Sequence, residues 1–220
     1  MSNGRVLINE LKLLLSRVDN LLNTIILFIL VISVALFTIK DTEIIKILPT
    51  ILWICSISTI HVSMCHLLGN DYDNGSLEQI FLQNCIPELV VFFKILSHWI
   101  YVGIPVSLIS MFINFVVLDS DVYSTIGLGF SLGISLLVIS FISAVGHALA
   151  LGKSGSIIIA QILTLPVMIP VLIYFNVLFD HFKSNVYDEN VMLLGILVIS
   201  LIPVSLIFIL CSIRLAVEHD

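Results

Sequence analysis

Charge is what this sequence has least of. Asp, Glu, Lys and Arg together make up 11% of its 220 residues, and only 9 of those residues are basic. The formal charge of −6 follows from that scarcity of bases rather than from an acidic tail, and no basic patch exists that could hold a nucleic-acid backbone. Cysteine is sparse too, and its spacing excludes the redox and haem-attachment motifs. Cys55, Cys65, Cys85 and Cys211 form neither CxxC nor CxxCH and sit in or beside apolar segments, so they read as buried small hydrophobes.

The signatures of catalysis are missing as well. There is no HExxH and no cysteine–histidine cluster, which leaves no metal site to predict. His61 and His66 are five positions apart, a rotation of about 140° on a helix, so they cannot serve one ligand site. His98 shares a helix face with Lys94, and each histidine reads as a hydrogen-bonded interior or interfacial residue rather than an axial haem ligand. "GKSGS" at Gly152 to Ser156 resembles the end of a P-loop, yet His147 stands where GxxxxGK needs its first glycine, and an apolar run rather than a strand precedes it. Any energy from ATP must come from another chain. No Ser–His–Asp or paired-carboxylate set can be assembled from neighbouring positions. Charges deep in apolar runs are nearly absent. Lys94 and Glu88 lie near a helix end, where Lys94 is expected to snorkel, so an ion-coupled relay lacks its usual residues.

What remains is abundant hydrophobicity, 59% of the chain with a mean hydropathy of +1.18. It comes in blocks of about twenty residues, the length that crosses a bilayer's hydrocarbon core as a helix. Backbone groups in lipid must be satisfied internally, so the fold class is an all-α membrane protein of a single domain, 1–220. Six spans are predicted, at 21–39, 47–68, 87–118, 126–150, 157–178 and 191–215. Residues 1–20 precede them with Val6, Leu7, Leu11, Leu14, Leu15 and Val18 on one face, the pattern of an amphipathic helix lying in the membrane interface. Glu10 and Asp19 interrupt that run and no small-residue cleavage site follows, so the N-terminus is expected to be retained.

An even number of spans puts both termini on one side. With the N-terminus in the cytoplasm, Arg5, Lys12, Arg17, Lys94, Lys153 and Arg214 fall at cytoplasmic ends, against Lys40, Lys46 and Lys183 outside. The bias favours cytoplasmic termini, and with them a cytoplasmic loop at 69–86. Several residues bear on helix shape. Gly103 and Pro105 are placed to kink or break the long third span, and Pro166 with Pro170 should bend the fifth, as static shape or as a hinge. Gly129 and Gly133 form a GxxxG in the fourth span, suited to close helix packing or to a dimer contact.

The loop 69–86 is the polar island of the chain, "LLGNDYDNGSLEQIFLQN" with its flanks. Ser76 and Gln79 fit a capping box, which predicts a short helix from Leu77 with Leu77, Ile80 and Phe81 on one face and Glu78, Gln79 and Gln83 elsewhere. From pattern alone, two readings stand: a loop tucked against the membrane surface, or an exposed apolar ridge that docks into a groove of a cytosolic partner.

"DYDNGSLEQIFL", with "KILSHW" at Lys94 to Trp99 and "LTLPVMIPVLIY" at Leu163 to Tyr174, resembles the CcmB family, the haem exporter protein B of cytochrome c maturation. The length, N-terminal helix and six spans extend the likeness to nearly the whole chain, and Asn74 departs from the family's DGSLEQ motif before Gly75. The resemblance implies a non-catalytic permease subunit of an ABC-type complex. Its ATPase would be a separate protein, CcmA, holding ATP and magnesium; CcmC, CcmD and the haem chaperone CcmE would be further partners, and haem would be handled by the complex. A homodimer in a bacterial inner membrane, or an organellar one, is implied with them. The island would be the coupling helix, with Asp73, Gly75, Ser76, Leu77, Glu78, Gln79 and Phe81 at the ATPase contact. Two alternatives are a permease for another substrate, such as a lipid or drug, and a non-transporting scaffold for haem-handling proteins.

Overall fold

The apolar blocks fold as helices because only a helix satisfies every backbone N–H and C=O within one segment. A computed structural model describes residues 18–38, 41–78, 86–118, 121–151, 156–184 and 189–218. Among these residues there is no strand. The elements are α1 (Val18–Thr38), α2 (Asp41–Asp73), α3 (Pro87–His98), a π-helical turn (Trp99–Gly103), α4 (Ile104–Leu118), α5 (Val122–Leu149), α6 (Ser156–Ser184) and α7 (Glu189–Glu218). The predicted interfacial helix at 1–20 lies outside the described residues except for its last three, which open α1.

Five of these runs are long and apolar enough to cross a bilayer: Ile47–Asp73, Pro87–Val117, Val122–Leu149, Ile158–Lys183 and Val191–Ala216. The chain is therefore a multi-pass membrane protein. The first predicted span contributes a shorter apolar stretch, Leu22–Thr38. Several boundaries move outward from the predicted ones: α2 continues to Asp73 instead of stopping at residue 68, α5 begins at Val122 instead of 126, α6 continues to Ser184 instead of 178, and α7 begins at Glu189 instead of 191. Hydropathy marks where lipid ends, whereas helical hydrogen bonds continue into polar sequence.

The central element is α5, which packs against α2, α4, α6 and α7. It can take that place because many of its buried positions are small or hydroxylated, interspersed with larger ones such as Leu132 and Phe141. Ser131, Ser135 and Ser140 are buried and donate to the carbonyls of Gly127, Ser131 and Leu136 at 2.7, 2.8 and 2.8 Å, so none of these hydroxyls needs water. Helices in lipid gain little from hydrophobic exclusion and depend on close contact. Gly146 brings one backbone against another: a Cβ there would come 2.8 Å from the carbonyl oxygen of Ala160 in α6.

The predicted GxxxG divides in function. A side chain on Gly129 would collide with Met111 of α4, so this glycine does pack helices together. At Gly133 a Cβ would meet nothing nearer than the Ser107 hydroxyl at 3.9 Å; its carbonyl instead accepts a 2.9 Å hydrogen bond from the Trp99 indole. The third span runs from Pro87 to Leu118 and is interrupted where Gly103 and Pro105 predicted, by the π turn. Pro105 has no N–H to return to Tyr101, and the wider turn, in which the Ile104 N–H reaches the Trp99 carbonyl, absorbs that loss. Helix α6 continues through Pro166 and Pro170.

Candidate functional site

The polar end of α2 is built by one glycine. The Asn74 N–H and side-chain amide both donate to the Asn70 carbonyl, at 3.1 and 2.6 Å, and the Gly75 N–H donates to Tyr72 at 2.9 Å. Gly75 then takes φ +66°, the left-handed conformation that ends a helix and that side chains resist. The Ser76 hydroxyl turns back to the Asp71 carbonyl at 2.9 Å, and one helical turn follows through Glu78. The entry to the island is therefore the last turns of α2 rather than a loop.

Leu77 corrects the sequence reading. Of the two readings, an exposed ridge or a loop tucked against the membrane surface, neither describes this side chain, which is 1% exposed and belongs to the apolar cluster that contains Met64, Leu68, Val91, Ile95 and Phe141. Its side chain anchors the turn to the bundle, and is not available to a partner. Asp73 and Glu78 are exposed on either side of it, while Gln79, Ile80 and Phe81 lie outside the described residues.

Lys94 is the second correction. Rather than snorkelling to water, it is buried, and its ammonium pairs with the carboxylate of Asp71, itself 3% exposed. Residue 94 lies two turns inside α3, and helical side chains tilt toward the N-terminus, so the long Lys stem reaches back toward the end of α2. Sequence spacing could not find this pair, because its members sit on separate helices 23 positions apart.

Deeper in the bundle, three histidines converge from three helices. His61 of α2 and His147 of α5 have ring centroids 5.7 Å apart. The two nitrogens of His61 lie 3.0 and 3.3 Å from the hydroxyls of Ser143 and Thr164, and His98 Nε2 lies 2.9 Å from the Ser63 hydroxyl. His66 is exposed, so it and His61 do face apart. The described residues contain no group of three or more side chains placed to hold a metal ion. Thr164 also borders an apolar groove of about 310 Å³ between α5, α6 and α7, walled by Ile142, Gly146, Leu201, Ser205 and Phe208 among others.

Known proteins match along almost all of this chain. The family described as CcmB protein matches residues 1–216. Heme exporter protein B of Haemophilus influenzae is 27% identical over 213 residues, covering 96% of each chain. The proteins of that name from Pseudomonas aeruginosa and Escherichia coli K12 are 33% and 25% identical, each covering 79% of both chains. A family match of this extent agrees with the resemblance carried by the island motif, and the chain belongs to the CcmB family.

Proposed function

We propose that this chain is the permease subunit of an ABC-type complex for cytochrome c biogenesis, coupling ATP hydrolysis in a separate subunit to haem export or to release of the haem-loaded periplasmic chaperone. Its relatives carry the name heme exporter protein B, and the chain itself offers no nucleotide-binding loop. In this reading α1 completes six spans, both termini lie in the cytoplasm of a bacterial inner membrane, and two copies assemble with CcmA, CcmC, CcmD and CcmE. The chain does no chemistry of its own; ATP and magnesium belong to the ATPase partner.

The observation that carries this reading is the 71–78 turn. It holds two exposed carboxylates, Asp73 and Glu78, on a backbone fixed by Gly75 and by the buried Leu77. A contact that must transmit force needs such a rigid mounting; Gln79 and Phe81 follow it in the sequence.

Co-purification tests it. Leu77→Asp would bury a charge and disrupt the turn, so the informative variant is Asp73→Lys with Glu78→Lys. An ATPase subunit should accompany the tagged wild type in mild detergent and be lost from the variant. A wild type that brings down no ATPase would sink the coupling role. Cells lacking the chain should lack c-type cytochromes, and normal cytochrome c in such cells would point to another substrate.

A further inference from the structure

We propose that Asp71 and Lys94 are positioning residues that lock the 71–78 turn to α3, so that force arriving at the turn moves the third span rather than the end of α2 alone. This rests on the reading of the turn as the ATPase contact.

Three observations support it. The pair bridges the end of α2 and the interior of α3, and both partners are buried, Asp71 at 3% and Lys94 at 8% exposure. The Asp71 backbone is itself tied to the turn, because its carbonyl accepts the Ser76 hydroxyl. Leu77 shares an apolar cluster with Val91 and Ile95, which flank Lys94 on α3. Side chain, backbone and packing thus join the same two pieces. From α3 the contact passes inward: Phe92 meets Phe141 of α5 with ring centroids 5.6 Å apart.

The chemistry argues for placement over stability. Two charges taken out of water recover their desolvation cost only partly, so a buried pair replaced by apolar residues of similar size commonly leaves a fold as stable as before. What an apolar pair cannot reproduce is direction. An ammonium and a carboxylate fix the relative height and rotation of two helices, whereas methyl and methylene groups tolerate sliding.

The experiment uses the full chain in nanodiscs, titrated with the ATPase subunit that co-purifies with wild type. Two quantities are read: the ATPase concentration giving half-maximal stimulation, and the maximal ATP turnover. Asp71→Asn and Lys94→Met each remove one partner from a buried pair and should lower thermal stability. The double variant Asp71→Leu, Lys94→Met should recover stability and bind the ATPase at the wild-type concentration, yet lose about tenfold or more in maximal turnover, as misplacement far from a reacting centre can. Asp71→Glu, which keeps the charge, should retain most of the turnover.

A double variant with full turnover would make the pair a fold-stabilising contact and overturn the proposal. So would one whose binding weakens while maximal turnover stays normal, since the pair would then shape the contact surface. If wild type recruits no ATPase, the coupling role itself fails, and that result appears before any variant is made.

Discussion

Single residues in this bundle differ in how much they can change, and the glycines of α5 show the physical reason. At Gly146 a Cβ would meet the Thr164 methyl at 2.5 Å and the Ala160 carbonyl oxygen at 2.8 Å, and a backbone atom cannot step aside as a side chain can. Gly146→Ala should therefore force α5 and α6 apart and cost about 1–3 kcal/mol, the usual range for overpacking. At Gly133 a Cβ would make only an ordinary contact, with the Ser107 hydroxyl at 3.9 Å, so Gly133→Ala should leave stability unchanged or raise it by up to about 1 kcal/mol through helix propensity. Reversible unfolding in detergent would rank the two; equal effects would mean that helix spacing is not set at Gly146. The GxxxG pattern drew attention to the right helix and to Gly129, but it took in the roomier Gly133 and left out Gly146, where α5 comes closest to the backbone of α6. Only the position of α6 distinguishes them, and no pattern within α5 contains that information. The same holds for His147, whose partner His61 is 86 residues away: periodicity separates His61 from His66 correctly, but cannot reveal a neighbour on another helix.

At the scale of an element, the third span shows how a local sequence feature becomes a tertiary contact. Gly103 and Pro105 mark a place where an α-helix cannot continue unchanged, and the π turn Trp99–Gly103 is the form the interruption takes. Its consequence is the placement of Trp99. The indole lies over Gly103, where a Cβ would meet Trp99 Cδ1 at 2.5 Å, and from there its Nε1–H reaches the Gly133 carbonyl in α5. Gly103→Ala should displace the indole and break that bond, and Trp99→Phe should remove it directly. Each should cost on the order of 1 kcal/mol, typical of an interhelical hydrogen bond in a membrane protein. Because both changes remove one interaction, the double variant should cost little more than either alone. Additive losses in a double-mutant cycle would show that Gly103 and Trp99 act independently. The interruption was legible from two residues; its role in docking α3 and α4 on α5 was not. Helix ends were less legible still, because α2 runs through "GNDYD" on backbone hydrogen bonds that hydropathy does not register.

At the scale of the whole molecule the question is how many times the chain crosses the bilayer, and α1 decides it. Its apolar stretch Leu22–Thr38 is shorter than the other five candidates, but α1 as a whole has 21 residues. At 1.5 Å per residue that helix is about 31 Å long, matching a hydrocarbon core of about 30 Å. Exposure around α1 also fits a span. Leu22, Ile26, Leu30, Val34 and Phe37 are all open, whereas Phe28 and Ile32 are buried against the bundle, which is the arrangement of a peripheral helix with lipid on its outer side. A helix lying in the interface would instead need a polar outer face. The proposed six crossings would place both ends in the cytoplasm by the lysine and arginine bias, and would put Asp73 and Glu78 on that side as the coupling role requires. Reporter fusions check this through parity. Alkaline phosphatase fused after residue 220 or ahead of residue 1 should be inactive, while an insertion at 119–120, between α4 and α5, should be active. A terminus active on the outer side while the other stays inside would reduce the count to five and make α1 a surface helix. If instead both termini lie outside, the turn would face away from any cytoplasmic ATPase, and the coupling role would fail on geometry alone.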